Sequence, residues 1–173
     1  MSYCQSLLLL LLFLAALADL KTDRIPNGFI VTGITVGLGG SHLFGPGLLH
    51  SAVSMLLAFL LMYPLFKIGT LGAGDIKALI MTGCFLTAGE FMTVLAAAFI
   101  IGGGISLMKL LVEHNGKERL SYLASYVSEV VRSGHWKLYG ENLKQDQLLY
   151  RRNKIHFTIP VLFGTALRIG GLI

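Results

Sequence analysis

The chain has 173 residues, 54% of them hydrophobic and 13% charged, with a formal net charge of +5. A charged fraction about half the ~25% of soluble domains, together with a positive mean hydropathy, excludes a water-soluble globule and assigns the chain to lipid. The basic residues are spread along loops without an aromatic-interleaved patch, so membrane topology rather than nucleic-acid binding accounts for them.

Apolar runs at about 2–18, 27–44, 48–66, 76–89, 91–111 and 155–173 each approach the ~20 residues that cross a hydrocarbon core. They predict an all-α polytopic protein with about six transmembrane helices, forming a single integral membrane domain over 1–173. The first run ends in Ala16-Leu17-Ala18, which has the look of a secretory cleavage site. Its flanks argue against one, because residues 1–6 carry no Lys or Arg and the positive charges follow the run. Cys4 and Cys84 both fall inside apolar runs and read as small buried hydrophobes, with neither a disulfide framework nor zinc-type spacing.

Asp19 opens the first turn, Asp19-Leu20-Lys21-Thr22-Asp23-Arg24-Ile25-Pro26-Asn27, which Pro26 closes by fixing its own φ and pushing Ile25 extended. Asp23, beside Arg24, is the weaker acid here, since pairing and solvation are easy in mid-turn. Gly33 and Gly37 in the second run predict close helix packing, and Pro64 predicts a kink in the third.

Between the third and fourth runs stands Gly72-Ala73-Gly74-Asp75-Ile76-Lys77. Asp75 is an N-cap candidate for the fourth helix, while Gly72 and Gly74 remove side chains beside it and permit positive φ. Lys77 reads as a topological charge or headgroup contact. The fourth run is short, so its helix starts earlier, the bilayer thins, or it stops partway across. Gly102-Gly103-Gly104 in the fifth run predicts a kink or a thin packing face.

A polar segment from Glu113 to Lys154 follows, forming a loop at about 112–154. Within it Leu120, Leu123, Val127, Val130 and Val131 recur at helical spacing, which suits a surface helix or a solvated helical loop. The five histidines, His42, His50, His114, His135 and His156, show no ligand spacing, so neither metal nor cofactor is expected.

Of 14 basic residues, all but Arg168 fall in alternate gaps between runs or on their edges. Lys and Arg accumulate on the cytoplasmic side, so both termini lie outside and Asp19 and Asp75 share the cytoplasmic face. Acids at a membrane boundary are costly unless they have a function. Two converging carboxyls do not both ionise readily. One keeps a proton while the other holds a water, giving general acid and general base together, as in aspartic proteases. The same residues suit an ion-coupled transporter or channel, although such proteins favour midplane acids and internal repeats. A non-catalytic assembly partner is a third reading.

The two motifs resemble those of the type IV prepilin peptidases, membrane aspartic proteases of the GxGD class. One is the Asp19 turn ending in Ile25-Pro26-Asn27, and the other is Gly72-Ala73-Gly74-Asp75-Ile76-Lys77. The resemblance implies that Asp19 and Asp75 form a catalytic dyad, with Gly72, Gly74, Lys77, Pro26 and Asn27 in substrate binding or loop support. It implies cleavage of the basic leader of prepilin- or pseudopilin-like substrates at the cytoplasmic face of the inner membrane. The chain is similar to the short form of tight-adherence (Flp-type) pilus systems, without the cysteine-bearing N-terminal region of longer members, so methyltransferase activity is not expected.

Overall fold

The computed structural model describes residues 3–45, 47–68, 70–112 and 156–173, with Ser125, Ser128 and Arg132 besides. Six helices make up the described chain: α1 (Tyr3–Thr22), α2 (Asn27–Phe44), α3 (Leu48–Ile68), α4 (Ala73–Gly83), α5 (Ala88–Val112) and α6 (Thr158–Ile169). The surface helix expected within 113–154 lies outside the described residues, apart from those three single positions, which are helical and exposed.

The boundaries follow local chemistry. The α1 helix ends where Asp23 turns left-handed (φ 56°) and donates its N–H to the Asp19 carbonyl at 2.9 Å, a left-handed C-cap that Asp tolerates better than most residues. Pro26, fixed at φ −58°, then starts α2. Between α2 and α3, Gly47 adopts φ 95° and donates its N–H to the Ser41 carbonyl. Thr87 and Glu90 form a reciprocal capping box at the start of α5: the Thr87 N–H donates to Glu90 Oε2 at 3.0 Å.

Packing follows a simple plan. The α1, α2, α3, α5 and α6 helices touch in that order and close into a ring, and α4 stands inside it against all five. The outward faces are apolar, with Leu10, Phe13, Leu56, Leu60 and Ile100 exposed, while Ser41, Ser51, Ser54, Thr82 and Thr165 are buried. That inversion of the soluble pattern, with α1, α3 and α5 each long and apolar enough to span, makes this an all-α membrane protein.

Two expected spans come out shorter. The run at 76–89 yields only the 11 residues of α4, and that at 155–173 the 12 of α6, about 16–18 Å against a ~30 Å core. Helix α4 ends partway because it needs no lipid match: its surroundings are protein, and the turn after it, Cys84 to Leu86, is buried. Carbonyls freed there would be orphaned in an apolar interior, and α3 supplies partners. The Ser51 hydroxyl donates to the Cys84 carbonyl at 2.7 Å and the Ser54 hydroxyl to the Leu86 carbonyl at 2.9 Å.

The glycines in α2 do pack closely, and their partner is α4 with its following turn. A methyl at Gly33 would strike the Met81 sulfur, and one at Gly37 would lie 2.6 Å from the Phe85 ring. Helix α5 runs unbroken through its triple glycine, with Gly102 facing Phe157 and Pro160 and Gly103 and Gly104 meeting open space. Helix α3 likewise continues through Pro64. Arg168, the basic residue outside the alternate-gap pattern, is matched by Glu90, 3.4 Å away at the end of α6 remote from Asp19 and Asp75. Cys4 and Cys84 are buried free thiols.

Candidate active site

Asp19 occupies the last turn of α1 and Asp75 the first turn of α4, and each is almost fully buried, at 4% and 6% exposure. Asp75 is not the N-cap itself. Gly72 holds that position, and Asp75, three residues on, accepts the Gly72 N–H on Oδ2 at 3.2 Å, so the capping bond runs backward from helix to cap. The positive end of α4 faces the same carboxylate.

Gly72 and Gly74 both lie outside the left-handed region, since Gly47 and Gly171 are the described glycines with positive φ. Their contribution is clearance. A methyl at Gly72 would sit 3.1 Å from Asp75 Oδ2, and one at Gly74 would meet Ile25 at 3.5 Å and Asp19 Oδ1 at 3.9 Å. The tight position is Gly72, where a methyl would press on the Asp75 carboxyl, whereas at Gly74 it would make ordinary van der Waals contact. Lys77 Nζ donates to Asn27 Oδ1 at 2.5 Å and ties the start of α4 to the start of α2.

The two acids meet on a third helix. Thr158 Oγ1, at the first residue of α6, lies 3.2 Å from Asp75 Oδ1 and 3.4 Å from Asp19 Oδ2. Those two carboxyl oxygens are thus separated by no more than the sum of two hydrogen bonds. A hydroxyl has one proton and two lone pairs, so it donates to one carboxylate and accepts from the other only if that one is protonated. This arrangement suits a pair sharing a single proton. His156 Nδ1 stands 2.8 Å from Asp19 Oδ2, and its Nε2 is 3.8 Å from Asp23 Oδ1. Asp23 is thereby drawn toward the site through the histidine.

A cleft of about 540 Å³ opens above the acids. Its walls include Asp19, Pro26 and Asn27 from the first turn, and Gly72, Gly74, Asp75 and Lys77 from the second, so the seven residues singled out from sequence share one cavity. His156 and Thr158 were not among them. A usable signal existed: the last apolar run begins at the same depth as both acids, and a His and a Thr at its start are polar groups at that level. Ligand spacing among the five histidines tests for a metal and does not reveal a partner to an acid.

A model of the type IV leader peptidase family matches residues 6–107, more than half the chain and the stretch that contains both aspartates. The chain belongs to that family. No curated protein and no solved structure matches it. As a leader peptidase it is a membrane-embedded hydrolase of the prepilin-processing kind, and prepilins are its general class of substrate. The matched stretch of this leader peptidase stops short of His156 and Thr158, which α6 brings to the acids from more than 40 residues beyond it.

Proposed function

We propose that the protein is an intramembrane aspartic endopeptidase, in which Asp19 and Asp75 together hydrolyse the peptide bond joining the basic leader of a prepilin-like substrate to its hydrophobic helix. The observation that carries this reading is that two buried carboxyls from separate turns line one open cleft and approach one hydroxyl. In the reaction one carboxylate takes a proton from water as it attacks the scissile carbonyl, and the other carboxyl gives its proton to the leaving amine. Neither metal nor cofactor enters these steps.

Positioning supplies much of the rate. A substrate held by its own transmembrane helix presents the scissile bond at a fixed depth, and the cleft lies at the end of the bundle where Lys21, Arg24 and Lys77 gather. That charge pattern supports a cytoplasmic active site in the inner membrane, with both termini outside. Gly72 and Gly74 leave room for the substrate backbone, and the Lys77–Asn27 bond with Pro26 shapes the cleft wall. We read the chain as a single integral peptidase domain.

The test uses the purified protein in detergent with a synthetic substrate, a short basic leader followed by an apolar helix of ~20 residues. One cut at the junction, identified by mass spectrometry of both products, is expected. Absence of cleavage, or cutting within the apolar helix, rejects the reading.

His156 should matter through Asp19. His156→Ala removes the 2.8 Å partner of the Asp19 carboxyl and is expected to lower kcat roughly ten- to a hundred-fold, the scale of a misplaced reacting group. His156→Asn, with an amide in place of the near ring nitrogen, should recover part of that loss. Equal activity of wild type and His156→Ala in the same assay would remove His156 from the site.

A further inference from the structure

We propose that Thr158 is a positioning residue whose hydroxyl bridges the two acids, holds their single shared proton in place during turnover, and returns it to its starting carboxyl afterwards. The inference rests on the aspartic protease reading above and deepens it.

Its basis is geometric. Thr158 Oγ1 is fully buried and lies within hydrogen-bond distance of both Asp19 Oδ2 and Asp75 Oδ1, on a helix that contributes neither acid. Hydrolysis leaves the pair reversed: the carboxyl that began ionised has gained a proton from water, and the one that began protonated has lost its own to the amine. The proton must move from one to the other before the next cycle. A hydroxyl bonded to both accepts the proton from the newly protonated carboxyl and releases its own to the other. Threonine ends as it began, and the dyad is reset without a co-reactant.

The same bridge favours the singly protonated pair over its two neighbours in the titration. With both acids ionised, one hydroxyl lone pair faces an anion, and with both protonated, the charge-assisted bond is lost. The bridge therefore widens the pH interval in which the enzyme is active. The other titratable or charged groups described around the pair are His156 against Asp19, Asp23 beyond it, and Arg24 and Lys77 on the cleft walls.

The experiment compares Thr158→Val and Thr158→Ser with wild type in the purified cleavage assay, recording kcat, KM and the pH dependence of kcat, with Asp19→Asn and Asp75→Asn as controls. Valine, of nearly the same shape without the hydroxyl, is expected to lower kcat by about a hundred-fold at unchanged KM and to narrow the pH profile from both sides. Serine should stay within about three-fold of wild type with the full profile. If Thr158→Val matches wild type in kcat and pH profile while both Asn variants are inactive, the bridge is refuted and the protease reading stands. If the Asn variants cleave, the protease reading itself has failed. Serine as impaired as valine would show a packing role and also refute the bridge. Should the valine variant not accumulate, Thr158→Ala is read in its place, and an unnarrowed profile overturns the proposal.

Discussion

Asp19→Asn and Asp75→Asn should each abolish leader cleavage while the protein accumulates at its normal level. Asparagine keeps the shape of the side chain and its capacity to hydrogen-bond His156, Thr158 or the Gly72 N–H, so these contacts can persist. It cannot take a proton from water or donate one as a carboxylic acid does, and loss of general acid–base catalysis costs roughly 10²–10⁴-fold for each group. In cells expressing a tagged prepilin-like substrate, only the uncut form should persist. The thermal midpoint of either variant in detergent should equal or exceed that of wild type, because a buried acid maintained for chemistry is a poor stabiliser. Asp23→Asn is the contrast. Asparagine accepts the left-handed backbone at φ 56°, so α1 still ends correctly and processing should persist. Wild-type cleavage by either Asp19→Asn or Asp75→Asn would remove that residue from the mechanism.

The second large effect concerns a residue with no chemistry of its own. Gly164, in the middle of α6, packs so closely on α5 that a methyl there would lie 2.9 Å from the Val94 carbonyl oxygen and 3.2 Å from the Ala98 nitrogen. Both are backbone atoms and cannot rotate aside, so Gly164→Ala must push α6 away from α5. Overpacking of this kind costs about 1–3 kcal/mol. Gly164→Leu should fail to accumulate. Because the first residue of α6 is Thr158, with His156 just ahead of it, the alanine variant should also lose cleavage beyond what its lowered stability explains. Gly103→Ala in α5, where a methyl meets open space, serves as the matched control and should be neutral or slightly stabilising through helix propensity. Thermal unfolding in detergent with a parallel cleavage assay measures both. A Gly164→Ala protein as stable as Gly103→Ala would contradict the packing argument.

How much of this was legible beforehand differs by feature. Asp19 and Asp75 stood out because acids beside long apolar runs are expensive, and glycines around Asp75 singled out its turn. Alternating basic gaps put them at one depth. Depth is a one-dimensional quantity that a linear pattern encodes well. Neither Gly72 nor Gly74 uses the positive φ that glycine permits; the tight feature is the space between Gly72 and Asp75 Oδ2. That the fourth helix is short is legible in its run, but why it stops partway, and that α6 is shorter than its run, are not, because hydropathy does not distinguish a residue facing lipid from one facing another helix. Leu79 and Met81 are as apolar as any spanning residue, yet they are buried inside the ring.

The sequence by itself determined that the chain is an all-helical membrane protein, which residues are apolar enough to enter the bilayer, and which two acids share a face. Only the tertiary structure decided that α4 is enclosed by five neighbours and halts at Gly83, and that α6 brings His156 and Thr158 onto the carboxyls. The physical reason is that hydrophobic burial is non-directional and fixes depth residue by residue, whereas lateral neighbours are chosen by shape. Contacts as close as Gly164 on α5 and Gly37 on the Phe85 ring exist only once whole helices are packed together.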